Sequence, residues 1–302
     1  MSEAGGEQGP SGPAQRRTEH AAEPVTFLGA DHVTVAGDAY GDPADPPVIL
    51  LHGGGQTRHA WGRTAAHLAA TGWRAYSLDL RGHGDSGWSP DGKYHVRTLA
   101  ADLIAVMDEL ATPVALVGAS VGGMTAMLVA GELRPEGVRA LVLVDIVHRA
   151  EPEGARKIGE FMRAKPEGFA DLDEAADAVA AFNPHRPRPK DPSGLAKNLR
   201  QGADGRWHWH WDPAFMTPGN GPGGALEQQR IEDAARNLRT PTLLVRGRLS
   251  DIVSEAGARE FLELAPHAGF VDVREAGHMV AGDRNDVFSQ AVIEFLATVR
   301  GG

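Results

Sequence analysis

Buried strands and amphipathic helices alternate along most of this chain of 302 residues. PVILL is a continuous apolar run, which fits a strand buried on both faces, and further strands are predicted at WRAYSLDL, PVALV, VRALVLV, TPTLLV and GFVDV. Between and after them, apolar residues at helical spacing predict helices over residues 59–70, 98–110, 122–133, 255–264 and 286–299. Strand–helix alternation requires crossovers that leave neighbouring strands parallel. We therefore predict an α/β fold with a mostly parallel central sheet flanked by helices.

An insertion, residues 147–224, separates the two blocks of this pattern. It contains NPHRPRPKDPSG and TPGNGPGG, in which prolines and glycines disfavour core strands and long helices. We predict a core domain of residues 25–146 and 225–302, with the insertion forming a cap or lid over the site. Residues 1–24 are rich in Gly, Pro, Glu and Ala, a composition that predicts a disordered tail.

Composition excludes several classes of function. The chain has 30 Lys and Arg against 40 Asp and Glu, a net charge of −10, and no dense basic run, which argues against nucleic-acid binding. No apolar stretch is long enough to span a membrane, and the N-terminus lacks the apolar segment of a secretory signal, so we expect a cytoplasmic protein. The absence of cysteine excludes disulfides and thiolate chemistry. The oligomeric state is not readable from the sequence.

The segment LVGASVGGM places a serine between a predicted strand and a predicted helix. Residues 118–122 form a G-x-S-x-G sequence in the strand–turn–helix context of a nucleophile elbow. A serine in such a strained turn needs neighbours without side chains, because the strand and the helix crowd the turn. The helix N-terminus behind it offers free N–H groups to developing negative charge. Ser120 is therefore the predicted nucleophile.

The segment LLHGGG predicts an oxyanion hole at the end of another strand. Glycines leave backbone N–H groups unobstructed, and an oxyanion needs two such donors at hydrogen-bond distance. We assign one donor to the N–H of Val121, directly after the nucleophile, and the other to Gly54, with Gly55 as a possible substitute. His52 is interpreted as a structural histidine.

Two further strand ends carry an acid and a base. Asp251 follows TPTLLVRGRLS and His278 follows GFVDVREAG, and ligands bind outside the carboxyl ends of parallel strands. A serine hydroxyl needs an imidazole base, which in turn needs an acid to fix its tautomer. We predict that Ser120, Asp251 and His278 form a catalytic triad. Asp145, at the end of VRALVLV, is the alternative acid.

Five segments, HGGG, DLRGHGDS, GASVGG, RGRLSD and AGHMV, resemble the α/β-hydrolases. The resemblance spans residues 47–295 and is greatest to the cap-bearing group of carboxylesterases, lactonases, cofactor-free haloperoxidases and C–C bond hydrolases. It implies the α/β-hydrolase fold and serine-hydrolase chemistry without a cofactor. The loop DLRGHGDS, with Arg81, His83, Asp85 and Ser86, is then structural and shapes one wall of the site. Epoxide hydrolases and haloalkane dehalogenases are disfavoured, because they carry a carboxylate where this chain has Ser120.

The leading prediction is a serine hydrolase that cleaves a carboxylic ester or lactone, a small molecule, through an acyl-enzyme. The same triad would also serve a perhydrolase, a haloperoxidase-like enzyme or a C–C bond hydrolase, and a non-catalytic receptor is a further alternative. Residues near the catalytic strand ends, or in the insertion, are predicted to contact substrate: Gln56, Arg58, Trp88, Met124, His148, Trp207, Trp209, Trp211 and Met279.

The hexapeptide WHWHWD, residues 207–212, alternates two kinds of side chain. In an extended conformation it would place Trp207, Trp209 and Trp211 on one face, packing the insertion onto the core or walling an acyl pocket. The opposite face would carry His208, His210 and Asp212, and we expect it to be the more exposed. His-x-His-x-Asp is also a zinc-ligand spacing, so a zinc hydrolase centred on these three residues is an alternative. We predict no metal, because Pro213 stands where the next histidine of such a motif would be.

Overall fold

The computed structural model describes residues 21–182, 188, 190–223, 225–274, 276–279 and 285–300. Its strands are β1 (Glu23–Leu28), β2 (Thr34–Tyr40), β3 (Pro47–Leu51), β4 (Arg74–Leu78), β5 (Val114–Ala119), β6 (Val138–Val144), β7 (Leu199–Gln201), β8 (Trp207–Trp209), β9 (Thr242–Gly247) and β10 (Gly269–Val273). Its α-helices are α1 (Gly62–Ala70), α2 (Val96–Leu110), α3 (Val121–Leu128), α4 (Pro152–Arg163), α5 (Leu172–Phe182), α6 (Ala225–Asn237), α7 (Glu255–Leu264) and α8 (Ser289–Val299).

Eight of these strands form one sheet, in the order β1-β2-β4-β3-β5-β6-β9-β10. The first two strands are antiparallel to their neighbours, and every pairing from β4 to β10 is parallel. The predicted mostly parallel sheet is thereby confirmed. Because β3, β5, β6 and β9 are adjacent, the loops that follow them meet at one edge of the sheet.

Helices cover both faces of the sheet, and the central strands are buried on each. In β3, Ile49 and Leu51 pack into the cluster that includes α2, α3, α6 and α7. Val48 and Leu50 pack on the opposite face, with α1 and α8. Burial of a side chain of this size is worth about 1.5–3 kcal/mol, so the central strands are firmly held beneath the loops that follow them.

The five predicted helices are present, and four of them have different ends. The predicted helix 255–264 is α7, and α2 begins two residues before its predicted start. The other three contain a second helical form: a 3₁₀ turn precedes α1 and α8, and a π-helical turn at residues 129–133 follows α3. No helix within the described ranges is long and apolar enough to cross a membrane.

The insertion contains more helix than its prolines and glycines predict. Residues 147–224 hold α4, of 12 residues, α5, of 11 residues, and the antiparallel hairpin of β7 and β8. Pro152 stands at the start of α4, where a missing N–H costs no helical hydrogen bond, so this proline favours the helix. The prediction of a tail over residues 1–24 falls mostly outside the described residues, and it was too long at its end, since β1 begins at Glu23.

Candidate functional site

Ser120 stands in a strained turn between β5 and α3. Its φ is 48° and its ψ is −121°, a conformation that non-glycine residues rarely adopt. Such a residue costs about 1–3 kcal/mol and persists only where its surroundings impose it. The Ser120 N–H donates to the carbonyl of Val144 on β6, and the Ser120 carbonyl accepts from Met124 in the first turn of α3. These bonds hold the strained backbone on both sides.

The glycines around Ser120 are required by the closeness of the neighbouring backbone. A Cβ on Gly118 would lie 2.4 Å from the carbonyl oxygen of Gly122. A Cβ on Gly122 would lie 2.6 Å from the carbonyl oxygens of both Leu51 and His52, at the end of β3. The G-x-S-x-G sequence is therefore fixed by packing, as the sequence predicts, and it brings the elbow against the HGGG loop.

The HGGG loop presents the N–H group of Gly54 beside the elbow. The Gly53 N–H donates to Gln56 Oε1 at 3.0 Å, and the Gly55 N–H donates to His83 Nε2 at 3.1 Å. Within the part of the chain that the structure describes, the N–H groups of Gly54 and Val121 have no protein partner, and both residues line the same cavity as Ser120. The predicted pair of donors is thus available, whereas Gly55 is not, because His83 already uses its N–H.

His278 is hydrogen-bonded to Asp145. The Nδ1 of His278 lies 2.7 Å from Asp145 Oδ2, and both side chains are almost completely buried. Asp145 follows β6 directly, with a φ of 50°. Its other oxygen accepts the Gly247 N–H at 3.0 Å, and the Ser250 hydroxyl donates to Oδ2 at 2.7 Å. With Nδ1 bonded to the carboxylate, Nε2 is the ring nitrogen available to accept a proton.

The predicted pairing of Asp251 with His278 is wrong. The side chain of Asp251 is half exposed and lies 3.8 Å from Lys157 Nζ on α4. The loop after β9 turns so that Ser250 points inward, where its hydroxyl also accepts the N–H groups of Ile252 and Val253. That loop therefore supplies a hydroxyl that supports Asp145, and the alternative acid of the sequence analysis occupies the position beside His278.

Ser120 and His278 line one cavity of about 410 Å³. Its wall is largely apolar and comes from the core, from α4 and from the end of the insertion. Apolar side chains in the wall include Val121, Met124, Ile146, Ile158, Met162, Phe215, Met216, Ile252 and Met279. A volume of this size and an apolar lining suit a small organic substrate.

Only two of the predicted substrate contacts line this cavity, namely Met124 and Met279. Gln56 is buried and braces the HGGG loop, with its amide Nε2 3.3 Å from Asn285 Oδ1. The other predicted contacts also lie outside the wall of this cavity: Arg58, Trp88, His148, Trp207, Trp209 and Trp211. Of these, Trp88 is 54% exposed and Arg58 is held in ion pairs with Asp38, Asp79 and Asp85.

The hexapeptide WHWHWD does not form a metal site or an exposed polar face. His208 bonds Asp204, whereas His210 and Asp212 are buried. Asp212 accepts the Tyr94 hydroxyl and the Ala214 N–H. These three side chains thus have separate partners, and no group of His, Asp or Glu in the described ranges is arranged to hold a metal ion.

The expected exposed polar face is not formed, because β8 ends at Trp209 and both His210 and Asp212 are buried. Beyond β8 the chain turns inward, and Trp209 stacks on Trp211 with ring centroids 4.8 Å apart and planes within 12° of parallel. Trp211 packs against the HGGG loop, 3.2 Å from where a Cβ on Gly55 would stand. Trp211 therefore packs the insertion onto the core, the first of the two roles that the sequence analysis assigns to the indoles, whereas Trp207 packs within the insertion, on the cluster of Phe169, Ala175 and Leu199.

Three buried histidines hold the HGGG loop from different parts of the chain. His210 Nδ1 accepts the Gly84 N–H at 2.7 Å, and its Nε2–H donates to the Gly55 carbonyl at 3.2 Å. His83 accepts from the Gly55 N–H, so the two rings bind both polar groups of one peptide residue. His52 accepts the Leu80 N–H at 3.0 Å. An insertion residue and two core residues thereby position the loop that carries the Gly54 N–H.

These histidines should make the protein less stable in mild acid. Burial lowers the pKa of His52 to about 4, that of His83 to about 3 and that of His210 well below its usual value. The unfolded chain binds these protons near pH 6.5, so stability is lost as the pH falls below 6.5. In His210→Gln, whose amide can both donate and accept, the free energy of unfolding should depend less steeply on pH between 5 and 6, by about 1 kcal/mol per pH unit. Urea unfolding followed by tryptophan fluorescence, repeated at several pH values, gives the free energy of unfolding as a function of pH. An equal slope of this free energy against pH in the two proteins would contradict the prediction.

Several residues of the site were missed by the sequence analysis. Met162, Arg163, Phe215 and Met216 line the cavity but lie in the insertion, whose prolines and glycines disfavour long helices. A helical pattern in the sequence could have located Met162 and Arg163. The sequence PEGARKIGEFMR carries Ile158, Phe161 and Met162 at helical spacing after an N-terminal proline. Phe215 and Met216, in a short 3₁₀ turn, follow no comparable pattern.

Comparison with known proteins gives a consistent result. The model of a family described as the alpha/beta hydrolase fold matches residues 46–284. The esterase Rv0045c of Mycobacterium tuberculosis is 34% identical over 262 residues, covering 84% of this chain and 82% of its own. The sn-1-specific diacylglycerol lipase ABHD11 of Mus musculus is 31% identical over 268 residues, covering 85% and 83%.

A solved structure agrees with these sequence matches. The crystal structure of an alpha/beta hydrolase from Novosphingobium aromaticivorans superimposes with a TM-score of 0.77 at 25% sequence identity. The superposition covers 92% of this chain and 99% of that one. The similarity therefore extends over the sheet, the helices and the insertion, and is not confined to the elbow.

Proposed function

Because this chain belongs to the α/β-hydrolase family, we propose that it is a serine hydrolase that cleaves a carboxylic ester or lactone. The observation that carries the proposal is the cavity into which Ser120 and His278 both open, with His278 bonded to Asp145. The names of the relatives, an esterase and a diacylglycerol lipase, support ester cleavage. We assign Ser120 as nucleophile, His278 as general base and Asp145 as the acid that orients the base.

Acylation begins when His278 Nε2 removes the Ser120 proton as the hydroxyl oxygen attacks the ester carbonyl. The Nδ1–H bond to Asp145 fixes the tautomer that leaves Nε2 unprotonated, and the carboxylate stabilises the imidazolium that forms. Negative charge develops on the carbonyl oxygen, and the N–H groups of Gly54 and Val121 donate hydrogen bonds to that oxygen. The N-terminus of α3 adds a favourable dipole at the same point.

Deacylation repeats these chemical steps with water in place of the serine hydroxyl. The imidazolium gives its proton to the leaving alcohol, and His278 then activates a water molecule that attacks the acyl-enzyme. The Ser120 oxygen leaves and recovers its proton from His278, so the enzyme returns to its first state. Asp145 remains bonded to the Gly247 N–H and the Ser250 hydroxyl throughout, which keeps the imidazole in one orientation.

We assign the insertion as a cap that bounds the substrate cavity. Helix α4 contributes Ile158 and Met162, and residues 215–219 and 221–223 contribute the wall beside them. Met162 also approaches the HGGG loop, with its sulfur 3.6 Å from where a Cβ on Gly54 would stand. An apolar wall at this point favours acyl or alkoxy groups that are themselves apolar near the scissile bond.

A fluorophosphonate probe tests the proposal directly. We expect the folded protein to take up one probe molecule, and mass spectrometry of a digest to place it on the peptide that contains Ser120. The reaction requires a serine activated by a base and an oxyanion hole, so protein unfolded in urea should not react. The same preparation should hydrolyse 4-nitrophenyl esters or a γ- or δ-lactone. A folded protein that is neither labelled nor active would favour the receptor alternative.

A further inference from the structure

One face of helix α4 forms a wall of the substrate cavity. The residues of α4 that line it are three or four positions apart or adjacent, as expected for one side of a helix: Ala155, Ile158, Gly159, Met162 and Arg163. Four of these are apolar or lack a side chain. The wall therefore ends, at the C-terminus of α4, in a single guanidinium group.

Gly159 provides the space in which that guanidinium lies. The two terminal nitrogens of Arg163 are each 3.2 Å from where a Cβ on Gly159 would stand, and its Cζ is 3.6 Å away. Gly159 is itself buried and lines the cavity. The guanidinium thus folds back along the cavity side of α4, one turn towards the helix N-terminus, instead of extending away from it. A side chain at position 159 would push it out of this place.

Among the residues that the structure describes, Arg163 differs from the other cations of α4 in having no acidic partner. Arg156 is paired with Glu153 and Glu160, and Lys157 faces Asp251. For Arg163, no carboxylate lies within ion-pair distance among the residues that the structure describes. In a chain of net charge −10, an unpaired guanidinium at the edge of an apolar cavity is a ready site for an anion.

We propose that Arg163 binds a carboxylate of the substrate, so that the preferred ester carries an anionic group separated from its scissile carbonyl by an apolar chain. The proposal rests on the proposed function, since it concerns the same cavity. Arginine suits the role because its planar fork binds both oxygens of a carboxylate. The apolar residues Ile158 and Met162 lie next to Arg163 on the wall and would contact the chain between the two ends. Arg163 is exposed to solvent, so the attraction should weaken as salt is added.

The test compares esters that differ only in charge. The 4-nitrophenyl monoester of glutaric acid carries a carboxylate where 4-nitrophenyl pentanoate carries a methyl group, and the adipate–hexanoate and suberate–octanoate pairs extend the chain. The quantity measured is the ratio of kcat/KM for the anionic ester to that for the neutral one. In Arg163→Gln this ratio should fall about fivefold for at least one chain length, mainly through KM, because the interaction is remote from the reacting atoms. The fall should be smaller in 0.5 M NaCl.

The control is Arg156→Gln, a loss of the same charge from the same helix. Arg156 does not line the cavity, so its removal should leave the ratio unchanged. An unchanged ratio in Arg163→Gln at all three chain lengths would overturn the proposal. An equal fall in both variants would also overturn it, because it would indicate only long-range electrostatic attraction by the positive charges of α4. Failure of the proposed function would give a different result, because the wild-type protein would then hydrolyse neither member of any pair.

Discussion

Replacing Ser120 with alanine should slow hydrolysis of 4-nitrophenyl esters by about 10⁶-fold relative to wild type, as expected when a triad nucleophile is removed. The alanine retains the Cβ, and therefore the backbone at φ 48° and the packing of the elbow. It removes only the oxygen that would form the acyl-enzyme. What remains should be the small rate enhancement due to the oxyanion hole and to substrate binding.

The measurement is initial rate under saturating ester, with the thermal unfolding of each protein recorded in parallel. Within the described residues the Ser120 hydroxyl has no protein hydrogen bond, so Ser120→Ala should change the free energy of unfolding by about 0.5 kcal/mol or less. Ser193→Ala, at an exposed serine of the insertion, serves as the matched control and should remain fully active. Wild-type activity in Ser120→Ala would mean that the cleavage occurs elsewhere.

The sheet and the elbow could be predicted because their constraints are local. A continuous apolar run such as PVILL favours a strand buried on both faces, and Gly118 and Gly122 are required because a Cβ on either would lie 2.4–2.6 Å from a neighbouring carbonyl oxygen. Ser120 and His278 followed from the strand ends on which they lie. The positions of these residues in one cavity agree with that reasoning, whereas their chemical roles stay predictions.

The orientation of side chains in loops could not be predicted. Asp251 and Ser250 are adjacent, and residue type alone favoured the carboxylate, but the turn after β9 directs Ser250 inward and Asp251 towards solvent. The same applies to His210, whose burial depends on where β8 ends and not on the alternation of types along the sequence. Turn geometry is set by contacts with distant residues, here Asp145 and Gly55.

Asp145→Asn should lower kcat by about 10⁴-fold, the effect expected when the orienting acid of a triad is replaced by its amide. The amide NH₂ would face the Nδ1 side of His278 as a donor, which favours the tautomer protonated on Nε2 and unable to accept the Ser120 proton. The NH₂ would also face the Ser250 hydroxyl, which donates to the same carboxylate oxygen, while the amide oxygen would still accept the Gly247 N–H. KM should change far less than kcat, because Asp145 does not line the substrate cavity.

Asp251→Asn is the decisive comparison, since it makes the same chemical change at the acid that the sequence favoured. Its carboxylate is half exposed and 3.8 Å from Lys157, a surface pair worth about 0–1 kcal/mol, and it does not contact His278. We therefore expect kcat close to wild type in Asp251→Asn and a large loss only in Asp145→Asn. The reverse order would require the loop after β9 to rearrange during catalysis, with Asp251 replacing Ser250 beside the imidazole. Equal, large losses in both variants would instead indicate that the loop after β9 supports the site as a unit, through the bonds that Ser250 makes to Asp145, Ile252 and Val253.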